Sequence, residues 1–527
     1  MSRRGSFLVA LGILLSRIFG LVRQRVLAHF LGLGDAADAL AAAFRIPNFL
    51  QNLLGEGALS ASFIPRYARL LAQGEDVEAR RLAGALLALM AVTLTTLVLL
   101  GELATPWIMV LLVSHHWSPE KRMLTQSLVR LLFPATGLMV MSAWCLGVLN
   151  SHRRFLLSYS APVVWNIAII SAIILFARHR APESIVVTAA WGAMAGSLLQ
   201  VLVQWPAVLA VGGRIVPVMW TRVAELRGVV LAFIPNVLSR GANQISALID
   251  LYIASAIPVV GAVMAMTSAQ VLYLLPVSLF GMAVSAAELP EMARERGDAQ
   301  SIATALRIRL TGATQRLAYY IVPSALGFLT LGGVIAGAVF RTGAFTKADA
   351  NFVWMVLAGS ATGLLASTLG RLYASTFYAL HDTRTPLYCG VVRVVLTGGL
   401  GWFAGLKLPG ILGLDPRWGV AGLTATAGIA GWVEFALLRR ELCRRLGRFS
   451  MQGVELAKLW AAGCGAALAG IAVALVARHL PPIPLALLAV PANALTYLAI
   501  TARLDVPEAS VLVRRARLAL KGDLPLS

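Results

Sequence analysis

Several charged side chains interrupt the first two apolar stretches of the chain, and their types suit the recognition of an anion. They lie in Gly20-Leu-Val-Arg23-Gln-Arg25, Gly34-Asp35-Ala-Ala-Asp38, Phe44-Arg45-Ile-Pro47-Asn48 and Gly55-Glu56-Gly57, and Arg17 precedes them. An ionised group at membrane depth costs several kcal/mol unless it faces water or a partner. One terminal arginine can snorkel to the interface. So many on two adjacent helices argue instead for a water-filled cavity. Arginine offers a planar fork that grips phosphate oxygens in pairs and stays charged. Arg17, Arg23, Arg25 and Arg45 are therefore the candidate substrate-binding residues. The other reading is a salt-bridge network with Asp35, Asp38 and Glu56, and the two are compatible if charges exchange partners during opening. Gly55, Gly57 and Pro47 predict a bent second helix, since proline removes a backbone donor.

The second half carries its own charges at depth. Asp250 sits in Ser246-Ala-Leu-Ile-Asp250-Leu-Tyr-Ile and Arg393 in Val391-Val392-Arg393-Val394-Val395. Each needs a partner. They pair with each other, or Asp250 holds a proton or cation. Glu434 and Glu102 lie nearer helix ends and read as interfacial. No enzyme constellation accompanies these groups: HExxH, GxSxG, a Walker A loop and an aspartate-rich DDxxD are all absent. The four cysteines, Cys145, Cys389, Cys443 and Cys464, have no metal or disulfide spacing. No enzyme activity, metal or cofactor is expected. Transport without an ATP site draws on an ion gradient, the membrane potential or downstream consumption.

The elements that position these residues follow from composition. The 527 residues are 58% hydrophobic and 13% charged, against about 45–50% and about 25% in soluble domains. A water-soluble enzyme and a disordered chain are excluded. The apolar runs are continuous rather than alternating, which excludes a β-barrel. The net charge of +21 does not imply nucleic acid, because the arginines cluster between apolar segments. About fourteen such segments can be drawn, predicting an all-α polytopic membrane protein. With the first end inside, cytoplasmic segments hold a roughly threefold excess of Lys and Arg over outer loops; both termini are expected in the cytoplasm.

The chain also repeats. Pro162 and Pro386 each open a helix after a short basic loop, and Leu15-Ser-Arg17 matches Leu238-Ser-Arg240 at nearly the same offset, as Trp191-Gly192 matches Trp418-Gly419. This predicts two six-helix lobes, 1–215 and 225–447, in parallel repeat, a plan used by secondary transporters that hold substrate between halves. Two extra helices, 456–502, and a basic tail, 503–527, stand outside the repeat. The tail is expected at the anionic inner surface or as an ordinary basic flank.

These motifs resemble the MurJ/MviN family of bacterial lipid II flippases, in the multidrug/oligosaccharidyl-lipid/polysaccharide exporter superfamily. The resemblance runs over most of the chain and is strongest in Ser16-Arg17-Ile-Phe-Gly20-Leu-Val-Arg23, Gly34-x-x-x-Asp38-Ala, Phe44-Arg45-Ile-Pro47-Asn48, Glu56-Gly57-Ala-Leu-Ser-Ala-Ser-Phe63-Ile-Pro65, Ala161-Pro162-x-x-x-Asn166, Gln244-Ile-x-x-x-Ile249-Asp250, Gly343-x-Phe345-Thr346 and Tyr378-Ala-x-x-Asp382-x-Arg384-Thr385-Pro386. It implies alternating access in the bacterial inner membrane, during cell-wall (peptidoglycan) biosynthesis. It implies a cationic cavity for the pyrophosphate-sugar head of a lipid-linked glycan precursor, with Arg17 and Arg23 as cavity arginines and Asp38 as their acidic partner. It also implies a groove for the polyprenyl tail beside 456–502; membrane lipids are expected contacts of such a chain, and cell-wall synthesis enzymes are the partners that the scaffold reading below would give it. The chain departs from the family at Gln51 and Gln270, where arginine is common, and at Arg25, where an acid is usual. Gln51 and Gln270 are expected to donate to phosphate with less Coulomb attraction. Arg393 stands where the family is polar and uncharged, as a fixed cation in place of a metal ion beside Asp250. The departures leave two other readings: an exporter of another polyprenyl-pyrophosphate glycan or an amphipathic drug, and a transport-inactive scaffold for cell-wall synthesis.

Overall fold

The computed structural model describes residues 3–177, 180–213, 215–219, 223–282, 284, 288, 292, 299–380, 382–447, 449 and 453–520. The described residues form helices and no strand. Two compact units result: Met1–Met264 with Thr342–Phe345, and Ala265–Arg341 with Thr346–Ser527.

In the first unit, α1 spans Arg3–Leu31. Four short helices follow: α2 (Asp35–Ala43), α3 (Arg45–Leu54), α4 (Glu56–Ser62) and α5 (Ile64–Ala72). Four longer ones come next, α6 (Asp76–Leu112), α7 (Pro119–Ser151), α8 (Phe155–Phe176) and α9 (Pro182–Gly212), and then α10 (Ala224–Ala256). α11 (Ala262–Pro276) runs into a π-helical turn, Val277–Met282. The second unit continues with α12 (Ala299–Phe340), α13 (Lys347–Ala361), α14 (Leu364–Ala379), α15 (Arg384–Trp402), α16 (Leu408–Leu412) and α17 (Arg417–Leu446). It ends with α18 (Gly453–Val476), α19 (Pro482–Arg503) and α20 (Pro507–Leu520).

The expected single bent helix over 37–66 is a chain of separate short ones. The breaks fall at Phe44, Gly55 and Phe63, beside Pro47, Gly55 and Pro65. Backbone bonds Phe44 N→Leu40 O (3.0 Å), Gly55 N→Gln51 O (2.8 Å), Leu59 N→Gly55 O (3.1 Å) and Phe63 N→Leu59 O (2.8 Å) bridge the breaks. The path therefore continues, redirected at each break rather than smoothly curved. Ten described helices are long and apolar enough to cross a membrane, and an eleventh span is the bent pair α13–α14, at 46°. The other three expected segments are α1, the broken run α2–α5, and α10, which carries the shorter apolar stretch Gln244–Ala256 among the described residues. Within the tail at 503–527, Pro507–Leu520 form helix α20, with Ala509 buried.

Small residues and buried hydrogen bonds fix the packing. The first unit has a core of Phe63, Tyr67, Leu82, Leu86, Trp144 and Leu149, and the Trp144 indole donates to Ala83 O at 3.2 Å. Ser142 on α7 donates to Gln204 Oε1 and accepts from Gln200 Nε2, both at 2.8 Å, which ties α9 to α7. In the second unit α18 and α19 pack on α12. Tyr497 Oη donates to Tyr319 O at 2.9 Å, and Gly463 presses against Leu326.

Candidate functional site

Arg23 lies on α1, two-thirds of the way along. Its guanidinium carbon sits 4.7 Å from the Trp165 ring centroid and 5.9 Å from that of Phe44. The two rings meet edge to face at 5.9 Å. Phe44 comes from the break between α2 and α3, and Trp165 is held in place by the packing of α8 on α9. Gly192 and Gly196 let α9 approach α8 so closely that a Cβ on Gly196 would lie 3.1 Å from Trp165 Cα. At that approach Ala193 O accepts the Trp165 indole N–H at 3.1 Å and locks the ring. Gly12 does the same for α1 against Tyr159 on α8.

Arg23 makes no hydrogen bond or ion pair with a described residue, and its Nε is buried without a partner. Cation–π contact offsets about 2 kcal/mol when desolvated, less than a buried charge costs. An anion supplied from outside the chain would close that gap.

The remaining arginines are placed differently from one another. Arg17 is exposed on α1. Arg25 follows Arg23 by two residues on one continuous helix, about 200° around the axis, so the two project to opposite sides. Arg45 opens α3 and is half-buried, and Asp250 of α10 is the counter-charge that acts on it. Gln51 is half-buried on α3. Beside this segment, Ile46, Phe49 and Leu50 join Leu97, Phe133 and Leu248 around an apolar cleft of about 720 Å³. Nothing is described of the Glu56 side chain.

Asp38 does not meet an arginine. Its carboxylate is 1% exposed and lies 2.7 Å from Lys121 Nζ, while Gly261 N and Met264 N donate to it at 2.9 and 2.8 Å. Lys121 reaches Asp35 as well, at 2.8 Å, and stands 4.1 Å from the Trp117 ring centroid. Asp38 thus anchors the N-terminus of α11 and the first turn of α7 to α2. The turn is held close: Gly261 has φ +84°, and a Cβ there would meet Leu33 O at 2.6 Å. Gly343 of the Gly343-x-Phe345-Thr346 motif has φ +55° and fits against His29, whose carbonyl accepts Ala344 N at 2.8 Å. Sequence reasoning missed Lys121 as the partner of Asp38. Its position three residues into a Ser-Pro-capped helix was the available signal.

In the second unit Arg393 donates to Glu434 at 3.0 Å, with Glu434 16% exposed. The expectation of an Arg393–Asp250 pair is corrected: facing positions of α15 and α17 supply the carboxylate, and Glu434 is a mid-helix partner rather than an interfacial charge. Arg371 on α14, which sequence reasoning missed, acts electrostatically with Arg393, Glu434 and Tyr273. An arginine in the apolar run Ser367-Thr-Leu-Gly-Arg371-Leu-Tyr was the signal. Gln270 is exposed on α11 in this unit.

The Asp382 motif serves structure. Its carboxylate accepts from Arg384 N (2.9 Å), Thr385 N (3.1 Å) and Thr385 Oγ1 (2.7 Å) at the start of α15 and pairs with Arg445 at 2.8 Å. Burial acts to raise its pKa, but the hydrogen bonds from Thr385, Arg384 and Arg445 outweigh this and hold it at about 2. A depressed carboxylate stabilises above its unfolded pKa of about 3.9 and loses that contribution as pH falls toward the folded value. The melting-temperature gap between wild type and Asp382→Asn should therefore be full at neutral pH and shrink between about pH 4 and about pH 2.

Comparison with known proteins identifies the family. Residues 27–484 match the family model "Lipid II flippase MurJ". A probable lipid II flippase MurJ of Rhizobium meliloti (strain 1021) is 31% identical over 429 residues, 80% of this chain and 77% of that protein. The lipid II flippase MurJ of Burkholderia cenocepacia is 29% identical over 444 residues, 82% of each chain. Among solved structures, a lipid II flippase MurJ in an inward closed conformation superposes with a TM-score of 0.77 at 21% identity, covering 94% of this chain and 98% of that one. An inward-facing multidrug resistance MATE family transporter of the MOP superfamily gives 0.64 at 17% identity, covering 83% and 98%. The family model spans most of the chain, including Asp38, Arg45 and the aromatic seat of Arg23, and the chain belongs to the lipid II flippase MurJ family.

Proposed function

We propose that this chain carries lipid-linked peptidoglycan precursor, lipid II, from the inner to the outer leaflet of the bacterial cytoplasmic membrane. Arg23 carries the reading. A guanidinium seated on two aromatic rings, with no carboxylate of a described residue paired to it, is the partner a pyrophosphate requires. Arg17 and Arg45 add positive charge, and Gln51 adds a neutral donor. Asp250 shares Arg45, so an arriving phosphate would compete with a carboxylate already present.

In this scheme two six-helix lobes, 1–215 and 225–447, alternate access, both termini are cytoplasmic, and no chemical step is catalysed. The Asp38–Lys121 cluster holds the outer end of the first unit together while substrate enters from inside. The apolar cleft beside α3 and the pair at 456–502 offer surfaces for the polyprenyl tail. A direct test reconstitutes the purified chain in vesicles with fluorescent lipid II and follows its accessibility on the far leaflet. Transfer above that of protein-free vesicles is expected; transfer no faster than in protein-free vesicles would refute the proposal.

A further inference from the structure

The second unit holds a separate cationic site around the start of α13. Arg341 follows α12, Lys347 opens α13, and Arg478 lies in the turn between α18 and α19. With Asn351, Trp354 and Pro482 they line a cavity of about 300 Å³. None of the three cations is in an ion pair with a described residue. The nearby carboxylates are engaged with backbone: Asp349 accepts Thr346 N at 2.8 Å and Asp415 accepts Arg417 N at 2.8 Å. On the orientation proposed above, this is an outer loop cluster, where Lys and Arg are normally depleted.

A second cavity adjoins the first. Trp354 and Asn351 wall both, and beyond them Met355, Ala358, Leu408 and Trp418 line an apolar crevice of about 700 Å³. Trp354 is fixed as the divider: its indole donates to Leu329 O at 3.1 Å, and Gly332 leaves room for its ring. Arg417, 5.7 Å from the Phe352 ring centroid, adds a fourth cation nearby. A phosphate-sized cationic pocket joined to an apolar crevice matches a molecule with an anionic head and a hydrocarbon chain.

We propose that this paired cavity binds an anionic phospholipid of the surrounding bilayer, with its phosphate among Arg341, Lys347 and Arg478 and an acyl chain against Trp354 and Ala358. The 300 Å³ head pocket is too small for a disaccharide-peptide. The site is independent of Arg23, so it stands or falls apart from the transport reading.

The test is native mass spectrometry of the detergent-purified chain with phosphatidylglycerol or phosphatidylcholine. Wild type should retain phosphatidylglycerol preferentially. A juxtamembrane cation contributes about 1 kcal/mol to anionic lipid binding, which is about fivefold, so R341Q/K347Q/R478Q should weaken retention on the order of a hundredfold. These side chains are exposed and pair with no described residue, so folding should survive. Ala358→Trp, which fills the crevice, should weaken both lipids. Arg23→Gln should retain phosphatidylglycerol as wild type does. Equal retention by wild type and the triple variant overturns the proposal. So does a loss in Arg23→Gln as large as in the triple variant, which would move the lipid to that site. Displacement of phosphatidylglycerol by inorganic phosphate at equal concentration would reassign the pocket to a free anion and overturn it as well.

Discussion

Arg23→Ala should abolish rescue of a bacterium depleted of its own lipid II flippase, at wild-type levels of protein in the membrane. Hydrogen bonds to charged groups contribute about 1.5–3 kcal/mol each. A two-pronged contact with pyrophosphate is therefore worth about 3–6 kcal/mol, or roughly 10² to 10⁴ in affinity. Arg23→Lys keeps the charge but not the fork, and should leave partial rescue. Trp165→Ala removes the ring 4.7 Å beneath the guanidinium and should cost about 1–2 kcal/mol in substrate binding. Trp165→Phe keeps a ring but loses the bond to Ala193, so it should fall between Trp165→Ala and wild type. Lipid II binding by the purified variants separates these effects from expression. Full rescue and unchanged binding by Arg23→Ala would remove Arg23 from the site.

The second large effect concerns stability. Asp38 and Lys121 are 1% and 7% exposed. Breaking a buried pair from one side typically costs about 3–5 kcal/mol, because the other charge stays behind. Asp38→Ala also strips Gly261 N and Met264 N of their acceptor. It should therefore lower the melting temperature more than Lys121→Met, which leaves both N–H donors on the carboxylate. Asp35, 58% exposed, compensates Lys121 only in part, since an exposed pair is worth about 0–1 kcal/mol. The double variant should lose about 1–3 kcal/mol less than the sum of the singles. Additive losses would mean that the two groups act separately, and an unchanged melting temperature in Asp38→Ala would refute the anchor itself.

The two predictions mark where sequence stopped being sufficient. Arg23 and Asp38 were legible as charges out of place in apolar helices, because the cost of burying an ion is a property of composition alone. The membrane class, the helical fold and the breaks near Pro47 and Gly55 were legible for similar reasons: apolar length and backbone donors are local properties. The partners were not. The sequence pairs Asp38 with arginine, whereas its partner is Lys121; it offers Arg393 to Asp250 as one of two readings, whereas Arg393 meets Glu434; and it gives no sign that Arg371 belongs with them. Helical periodicity says which face of a helix is apolar, but not which helix will face it. Only the close approach of α8 to α9 through Gly192 and Gly196 puts Trp165 beneath Arg23, and only the tight turn at Gly261 aims two backbone N–H groups at Asp38. Pairing energies between charges fall off over a few ångströms, so which ions meet is decided by packing between distant segments and not by their spacing along the chain.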